Sequence, residues 1–377
     1  MKFAFGHIML VVALLMGGLP VCSQGISFYN DYLGNIWVFD NGKTKQIDHL
    51  PQKSYGVGNN AFVYEDNSGG LKIYHNHFLH NASSFVSDYV VTDNLISFSM
   101  NTQLKVFDDG NFHTLCASMA KYWASDDIAV WYDDMQHMLM CYWNGTKYTL
   151  DDVLSTGEPS YVDVGENIAV FVDVNGNLNV FYLGEIEQII YAKNLGEIEL
   201  GRDIAAFVDS STGSFHAFYK NEFVDLEDFV PQKFTCGDGF VAYVDASSYL
   251  KVFDGYQTHT ISITFDISKM DTDDPNRDFY DVADGIMVFG EQHYFKAYVD
   301  GKIYTLESFI PENYVINNKS LVYLDQMGNL KYFDGTKSEI ISYEKVTDFE
   351  LTGDAVRYAF GVKSENIYFK GKTYKND

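Results

Sequence analysis

Residues 161–191 read YVDVGEN (161–167), IAVFVDVNG (168–176), NLNVFYLG (177–184) and EIEQIIY (185–191). Each run is of strand length and rich in Val, Ile, Phe and Tyr, and Gly, Asn and Asp separate the runs. Such runs at short, regular spacing are the signal of an antiparallel all-β chain. Helical periodicity is nearly absent after residue 24.

The same unit recurs to the C-terminus. Its third run carries an anchor aromatic, at Phe39, Tyr74, Phe107, Tyr142, Phe181, Phe218, Phe253, Tyr298, Phe333 and Tyr368, with steps of 35, 33, 35, 39, 37, 35, 45, 35 and 35 residues. A period this steady marks a repeat architecture in which no unit can bury its apolar face alone.

The turns repeat with the strands. Between the third and fourth runs stand Asn41-Gly42, Asp109-Gly110, Asn144-Gly145, Asp254-Gly255, Asp300-Gly301, Asp334-Gly335 and Lys370-Gly371, suited to the positive φ of a tight hairpin. Between the second and third come Gly34-Asn35, Gly176-Asn177 and Gly328-Asn329. Ahead of the second run, an aromatic is followed four residues later by Asp or Asn: Tyr55 and Asn59, Tyr89 and Asp93, Tyr122 and Asp126, Phe234 and Asp238, Tyr280 and Asp284, Tyr314 and Asn318. Asp and Asn hydrogen-bond nearby backbone in such turns, so they are expected to be turn formers and not ligands.

Tandem up-and-down meanders of this kind predict an all-β fold, a β-propeller of about ten repeats of about 35 residues, each a three- to four-stranded antiparallel meander. The pattern resembles β-propellers in general and is faintly similar to TolB-like periplasmic propellers, whose units also run aliphatic-aromatic strand, Asp-containing turn, Ile-Tyr strand. That likeness implies fold and carries no function. Unit one starts at its second run, Ile26 to Asn30, so closure by a shared strand is not evident and an open ring stays an alternative. Two smaller propellers would need a linker, and the spacing is broken only between Phe265 and Arg277.

Residues 1–23 read as a secretory signal peptide, with Lys2, an apolar stretch from Ile8 to Met16, then Gly17, Gly18, Pro20 and a Val21-Cys22-Ser23 cleavage site. Residues 24–377 are then a single propeller domain with no transmembrane segment. A lipoprotein acylated at Cys22 is the less favoured alternative. Secretion, the periplasm and the cell envelope all fit. Cys116, Cys141 and Cys236 remain after cleavage and sit in strand-like runs, as buried hydrophobes do. With 26 basic against 52 acidic residues, the surface repels phosphate polyanions, which disfavours nucleic acid and anionic lipid as partners.

The densest acidic group, Asp271, Asp273, Asp274 and Asp278, lies in the insertion KMDTDDPNRD and is the candidate Ca²⁺ site, although Pro275 and Asn276 break an EF-hand pattern. No other cofactor is expected. His75, His77 and His80 offer three imidazoles in six residues, with exposed edge histidines as the plain reading. The 28 Tyr and 29 Phe are expected to be mostly inter-blade packing, so few are left for ligands. Trp123 lies in the run nearest the expected axis, where an exposed indole would stack on a sugar, with core packing as the favoured reading. Asp163 and Glu199 stand in first runs that face the axis, but no catalytic residue is singled out, because no nucleophile elbow, zinc-protease or phosphate-loop motif is present.

The expectation is therefore an exported, non-catalytic β-propeller serving as a protein- or glycan-binding scaffold. The alternatives are a propeller enzyme acting on a polysaccharide, as a glycoside hydrolase or lyase, and a Ca²⁺-stabilised surface protein.

Overall fold

The second run of most units has no polar alternation, and its burial explains why: Ile168–Val172 is buried at every position. A strand covered on both faces has no use for polar residues. The fourth strands behave oppositely; Glu185–Tyr191 is exposed or half-buried throughout, as an outer rim must be.

The computed structural model describes residues 25–152, 158–270, 272, 274, 277–361 and 364–375. Ten separate antiparallel sheets follow one another along the chain, a three-stranded first and nine four-stranded ones, each in simple sequential order. They form blades 1 to 10, over residues 26–48, 54–83, 88–116, 119–151, 162–191, 195–227, 233–262, 279–307, 314–342 and 346–375. In blades 2 to 10 the four strands run from the axis outwards.

The open-ring alternative is answered at the seam. Blade 1 supplies no innermost strand among the described residues, yet Tyr29 and Phe39 from blade 1 pack with Ala355, Ile367 and Phe369 from blade 10 in one buried cluster. The Phe39 and Phe369 rings meet edge to face with centroids 5.6 Å apart. The ring is closed by face-to-face packing and not by a shared strand.

Neighbouring blades are also tied by tyrosine. Tyr74 donates to Asp40 at 3.2 Å and Tyr142 to Asp108 at 2.8 Å, each from a third strand to the end of the next-to-outermost strand of the preceding blade. The aspartates between second and third strands close their own turns: Asp173 Oδ1 accepts from the backbone of Asn175 at 2.9 Å and Asn177 at 2.8 Å. The same bulge shifts the third-to-fourth register in nine blades, between Leu178 and Asn179 in blade 5 and Leu250 and Lys251 in blade 7, for example. A bulge sharpens local twist, which a tightly wound blade requires.

First-to-second and third-to-fourth turns emerge at one end of the ring, here the turn end. Second-to-third turns and the links between blades emerge at the other, the link end.

Candidate functional site

The first-to-second turns of blades 2 to 10 converge at the turn end of the axis. Position by position they present Asn59, Asp93, Asp126, Glu166, Arg202, Asp238, Asp284, Asn318 and Gly353. Small residues ahead of these positions permit the approach. A Cβ on Gly201 would lie 2.2 Å from the Gly237 carbonyl oxygen, and one on Gly165 would lie 2.6 Å from that of Gly201.

The turns are laced to one another. Asn59 Nδ2 donates to Asp93 Oδ2 at 2.5 Å, and the Asp93 backbone N–H donates to Asp126 Oδ1 at 3.1 Å. Arg202 spans three blades, with Nε 2.7 Å from Glu166 Oε2, Nη1 2.5 Å from Asp127 Oδ2 and Nη2 3.1 Å from Asp126 Oδ2. Further round, the Asp238 N–H donates to the Asp284 carbonyl at 2.7 Å, and the Asn318 N–H donates to the Asp284 carboxylate.

Charge crowding follows from this geometry. Asp93 is pushed up to about 7, first by burial and then by the charges of Asp126 and Asp284. Asp284 is pushed up to about 6 by burial, with Asp238 and Asp126 adding to it. Burial also raises Asp126, and it raises Glu166 well into the range of a protonated acid, helped by a hydrogen bond with Asp238. That Asp284 on blade 8 acts on Asp93 on blade 3 shows how narrow the mouth is. One oxygen from each of Glu166, Asp238 and Asp284 lies within 4.8 Å of the other two.

The link end is wider. First strands of blades 8, 9 and 10 leave a cavity of about 620 Å³ lined by Arg277, Asp281, Tyr314, Asp348 and Phe349 among others. Tyr314 reaches Asp281 at 3.4 Å.

The residues singled out in the sequence are placed as follows. Asp271 and Asp273 lie outside the described residues, as does residues 1–23. Asp278 is buried and its Oδ2 accepts the Asp266 N–H at 2.8 Å, bracing the insertion. Asp274 accepts the Arg277 N–H through its carbonyl at 3.0 Å. The reading of exposed edge histidines holds for His77 but not for His75, which is buried, and the chain turns at Asn76 and His77, both at positive φ. His77 pairs with Asp40 at 2.7 Å, while His75 is buried edge-on to Phe107. The three cysteines are free and buried. Trp123 is half-buried with the Lys121 ammonium 4.7 Å from its ring centre. Asp163 and Glu199 are brought near one another, since the Asp163 charge contributes, after burial and Glu197, to raising Glu199.

The mouth was visible in the sequence as the aromatic-plus-four Asp/Asn register, but assigned only to turn formation. Those residues do sit in turns. Asn318 bonds Asn317 within its own turn, but the side chains of Asn59, Asp126 and Asp284 also tie neighbouring turns together.

A comparison with protein families matches the 10-bladed beta propeller domain over residues 21–374. The chain belongs to that family. A comparison with curated proteins finds no match. Among solved structures, the computationally designed Ika8 protein is similar at 15% identity and a TM-score of 0.31, covering 74% of this chain and 92% of that one. Hsv2p of Kluyveromyces lactis is similar at 12% identity and a TM-score of 0.32, covering 77% and 99%. Prp20p of Saccharomyces cerevisiae is similar at 8% identity and a TM-score of 0.32, covering 55% and 74%. Among the described residues no helix is long and apolar enough to cross a membrane.

Proposed function

We propose that this propeller is an exported, non-catalytic scaffold that holds a protein partner on its link end. The observation carrying the reading is the uneven placement of exposed apolar side chains. At the link end, Tyr32 is 78% exposed, Met135 73%, Phe229 69%, Met327 88% and Tyr343 80%, in turns and links of blades spread around the ring. In the turns of the opposite end, the exposed large apolar residues are Leu183 and Tyr256, with Phe78, Phe112 and Phe223 exposed just beyond the turns. Scattered single residues need no explanation, but a ring of strongly exposed apolar residues that is denser at the link end, although Tyr256 and Phe78 stand out at the other, is what a protein interface uses. Export rests on the sequence reading of residues 1–23 as a signal peptide.

A glycan is the second reading, favoured by the cavity of about 620 Å³ that opens at the same end beside Tyr314 and Phe349. Its size falls in the range of small-ligand sites.

The test is a pull-down from the envelope and secreted fractions of the source cell, with residues 24–377 as bait. The expected result is a saturable partner that is lost with the double change Met327→Glu and Tyr343→Glu and kept with Tyr256→Glu. Equal retention by all three baits would overturn the link-end assignment. Failure of folded bait to retain any protein, with retention on immobilised glycans, would replace it with the second reading.

A further inference from the structure

Blade 1 is a sheet of Ile26–Asn30, Ile36–Asp40 and Lys43–Asp48, which stand where the other blades have their second, third and fourth strands. Among the described residues nothing pairs with the axis side of Ile26–Asn30, which is therefore a sheet edge. The hydrogen-bond pattern says which groups lie on that edge. The Asn41 N–H donates to the Gly25 carbonyl and the Asp31 N–H to the Asn35 carbonyl, both at 3.0 Å, so the odd-numbered residues bond the neighbouring strand. Ile26, Phe28 and Asn30 turn their N–H and C=O groups the other way. In blade 5 the equivalent groups are in use: the Gly165 N–H reaches the Ile168 carbonyl at 2.9 Å, and the Val172 N–H reaches the Tyr161 carbonyl at 3.1 Å. Ile26 and Phe28 are buried, and unpaired backbone groups in so buried a strand are rare.

The side chains on either side of this edge supply an independent observation. First-strand tyrosines reach back to the first strand of the preceding blade: Tyr89 donates to Ser54 at 2.8 Å, Tyr122 to Asp88 at 2.8 Å and Tyr314 to Asp281 at 3.4 Å. Tyr55 is the blade 2 member of that series. Its ring rests on Phe28 with centroids 4.4 Å apart, yet its hydroxyl meets no acceptor among the described residues. It is 47% exposed, whereas Tyr89, Tyr122 and Tyr314 are half-buried. On the far side, Asp348 of blade 10 stands five residues ahead of the turn residue Gly353, just as Ser54 stands ahead of Asn59 and Asp88 ahead of Asp93. Among the described residues no tyrosine hydroxyl reaches Asp348, which is exposed and bonds Arg357 Nη2 at 3.0 Å. The series thus lacks an acceptor at blade 2 and a donor at blade 10, and one strand would supply both.

We propose that this edge binds an extended segment of a partner protein by antiparallel strand addition, the segment carrying an Asp or Ser for Tyr55 and, directly after it, a tyrosine for Asp348. Neighbouring residues of a strand face opposite ways, as Asp88 and Tyr89 do, so a single Asp-Tyr or Ser-Tyr pair serves both sides. Main-chain pairing with Ile26, Phe28 and Asn30 supplies affinity, and the two side chains supply selectivity. Residues 1–23 do not fit the role, for they contain no Tyr, Asp or Glu. The site goes beyond the link-end surface and does not depend on it.

The probe is a fluorescent synthetic peptide with the sequence of residues 87–92, SDYVVT, which is this chain's own blade 3 strand, added to folded residues 24–377. Fluorescence polarisation is expected to show saturable binding. Tyr55→Phe, which keeps the ring on Phe28, and Asp348→Asn should each weaken it about fivefold, the loss of one hydrogen bond, and Tyr89→Ala in the peptide should weaken it further. Hydrogen exchange at the Ile26, Phe28 and Asn30 amides should slow on binding. The double change Met327→Glu and Tyr343→Glu should leave peptide binding unchanged, which separates this site from the link-end surface. Circular dichroism identical to wild type confirms that each variant is folded. No binding up to roughly 1 mM peptide, no slowing of those amides, or binding indifferent to both Tyr55→Phe and Asp348→Asn would overturn the proposal. A dimer of this chain that the peptide splits would assign the edge to a second copy and overturn the partner.

Discussion

Replacing Arg202 by Met keeps the aliphatic stem and removes the charge that joins three blades. Losing one partner of a buried ionic network costs roughly 3–5 kcal/mol. The Arg202 side chain is 28% exposed, so solvent screening brings the expectation down to about 2–3 kcal/mol. Unfolding a chain of this size carries an entropy near 0.75 kcal/mol/K at about 2.1 cal/mol/K per residue, so the melting temperature should fall by about 3–4 °C at pH 8. The loss must also depend on pH. Arg202 attracts only ionised carboxyls; Glu166, raised to about 9, is already mostly protonated at pH 8, and Asp126 is raised by burial, so acid removes charge at Asp126. The deficit should therefore shrink markedly by pH 5. Arg202→Lys should recover less than half of it, because one ammonium cannot span Asp126, Asp127 and Glu166 together. Scanning calorimetry of the three proteins at pH 5 and pH 8, in chelator, is the assay. A deficit of equal size at both pH values would refute the electrostatic account and leave only lost packing.

Wild-type stability in chelator should peak near pH 5. Asp93 and Asp284, raised to about 7 and about 6, favour folding while protonated, and that contribution is lost as pH rises through those values. Asp173 and Asp325 are lowered, burial opposing but turn hydrogen bonds prevailing, so their contribution is lost as pH falls below about 4. A melting temperature that climbs steadily from pH 4 to pH 8 would contradict the crowding at the mouth. Gly201→Ala should cost about 2–4 kcal/mol by chemical denaturation, since its Cβ would lie 2.2 Å from a neighbouring carbonyl oxygen. Gly176→Ala, at φ +79 with open space around it, should cost only about 1–2 kcal/mol, and equal losses would show that turn contact does not matter.

The blades were legible because each strand announces itself twice, by apolar composition and by the turn that ends it. In blade 5 the runs IAVFV and NLNVFY became strands at Ile168–Val172 and Asn177–Tyr182, and the turn between them formed around Asp173 as its residue types demand. The nine repeated bulges were not legible. They shift register after Leu178 and Leu250, where nothing but a change from aliphatic to polar residue distinguishes the site from plain alternation. Ring closure was hidden for a different reason, since packing of Phe39 on Phe369 joins residues from opposite ends of the chain and leaves no local mark. The mouth is the intermediate case. A turn residue and a ligand-facing residue have the same identity in the sequence, and only the curvature of the ring decides that Asp93, Asp126 and Asp284 share one small volume.

That curvature also explains why the two ends differ. Blade 1 gives no innermost strand among the described residues, so nine and not ten first strands surround the axis. At the turn end they close until Gly201 touches the turn of blade 7, and at the link end they diverge enough to leave a cavity of about 620 Å³. Blades 2 to 9 thus each deliver one polar side chain to a shrinking circle, and the circle concentrates acid because the turns favour Asp and Asn. Such a circle has few stable states. Its charge must be met by a guanidinium, by protons or by a bound cation, and Arg202 meets only the side facing blades 4 and 5. The unmatched half, at Asp238 and Asp284, is therefore where removal of charge should stabilise the ring, and an Asp238→Asn variant that melts above wild type at pH 8 is the signature.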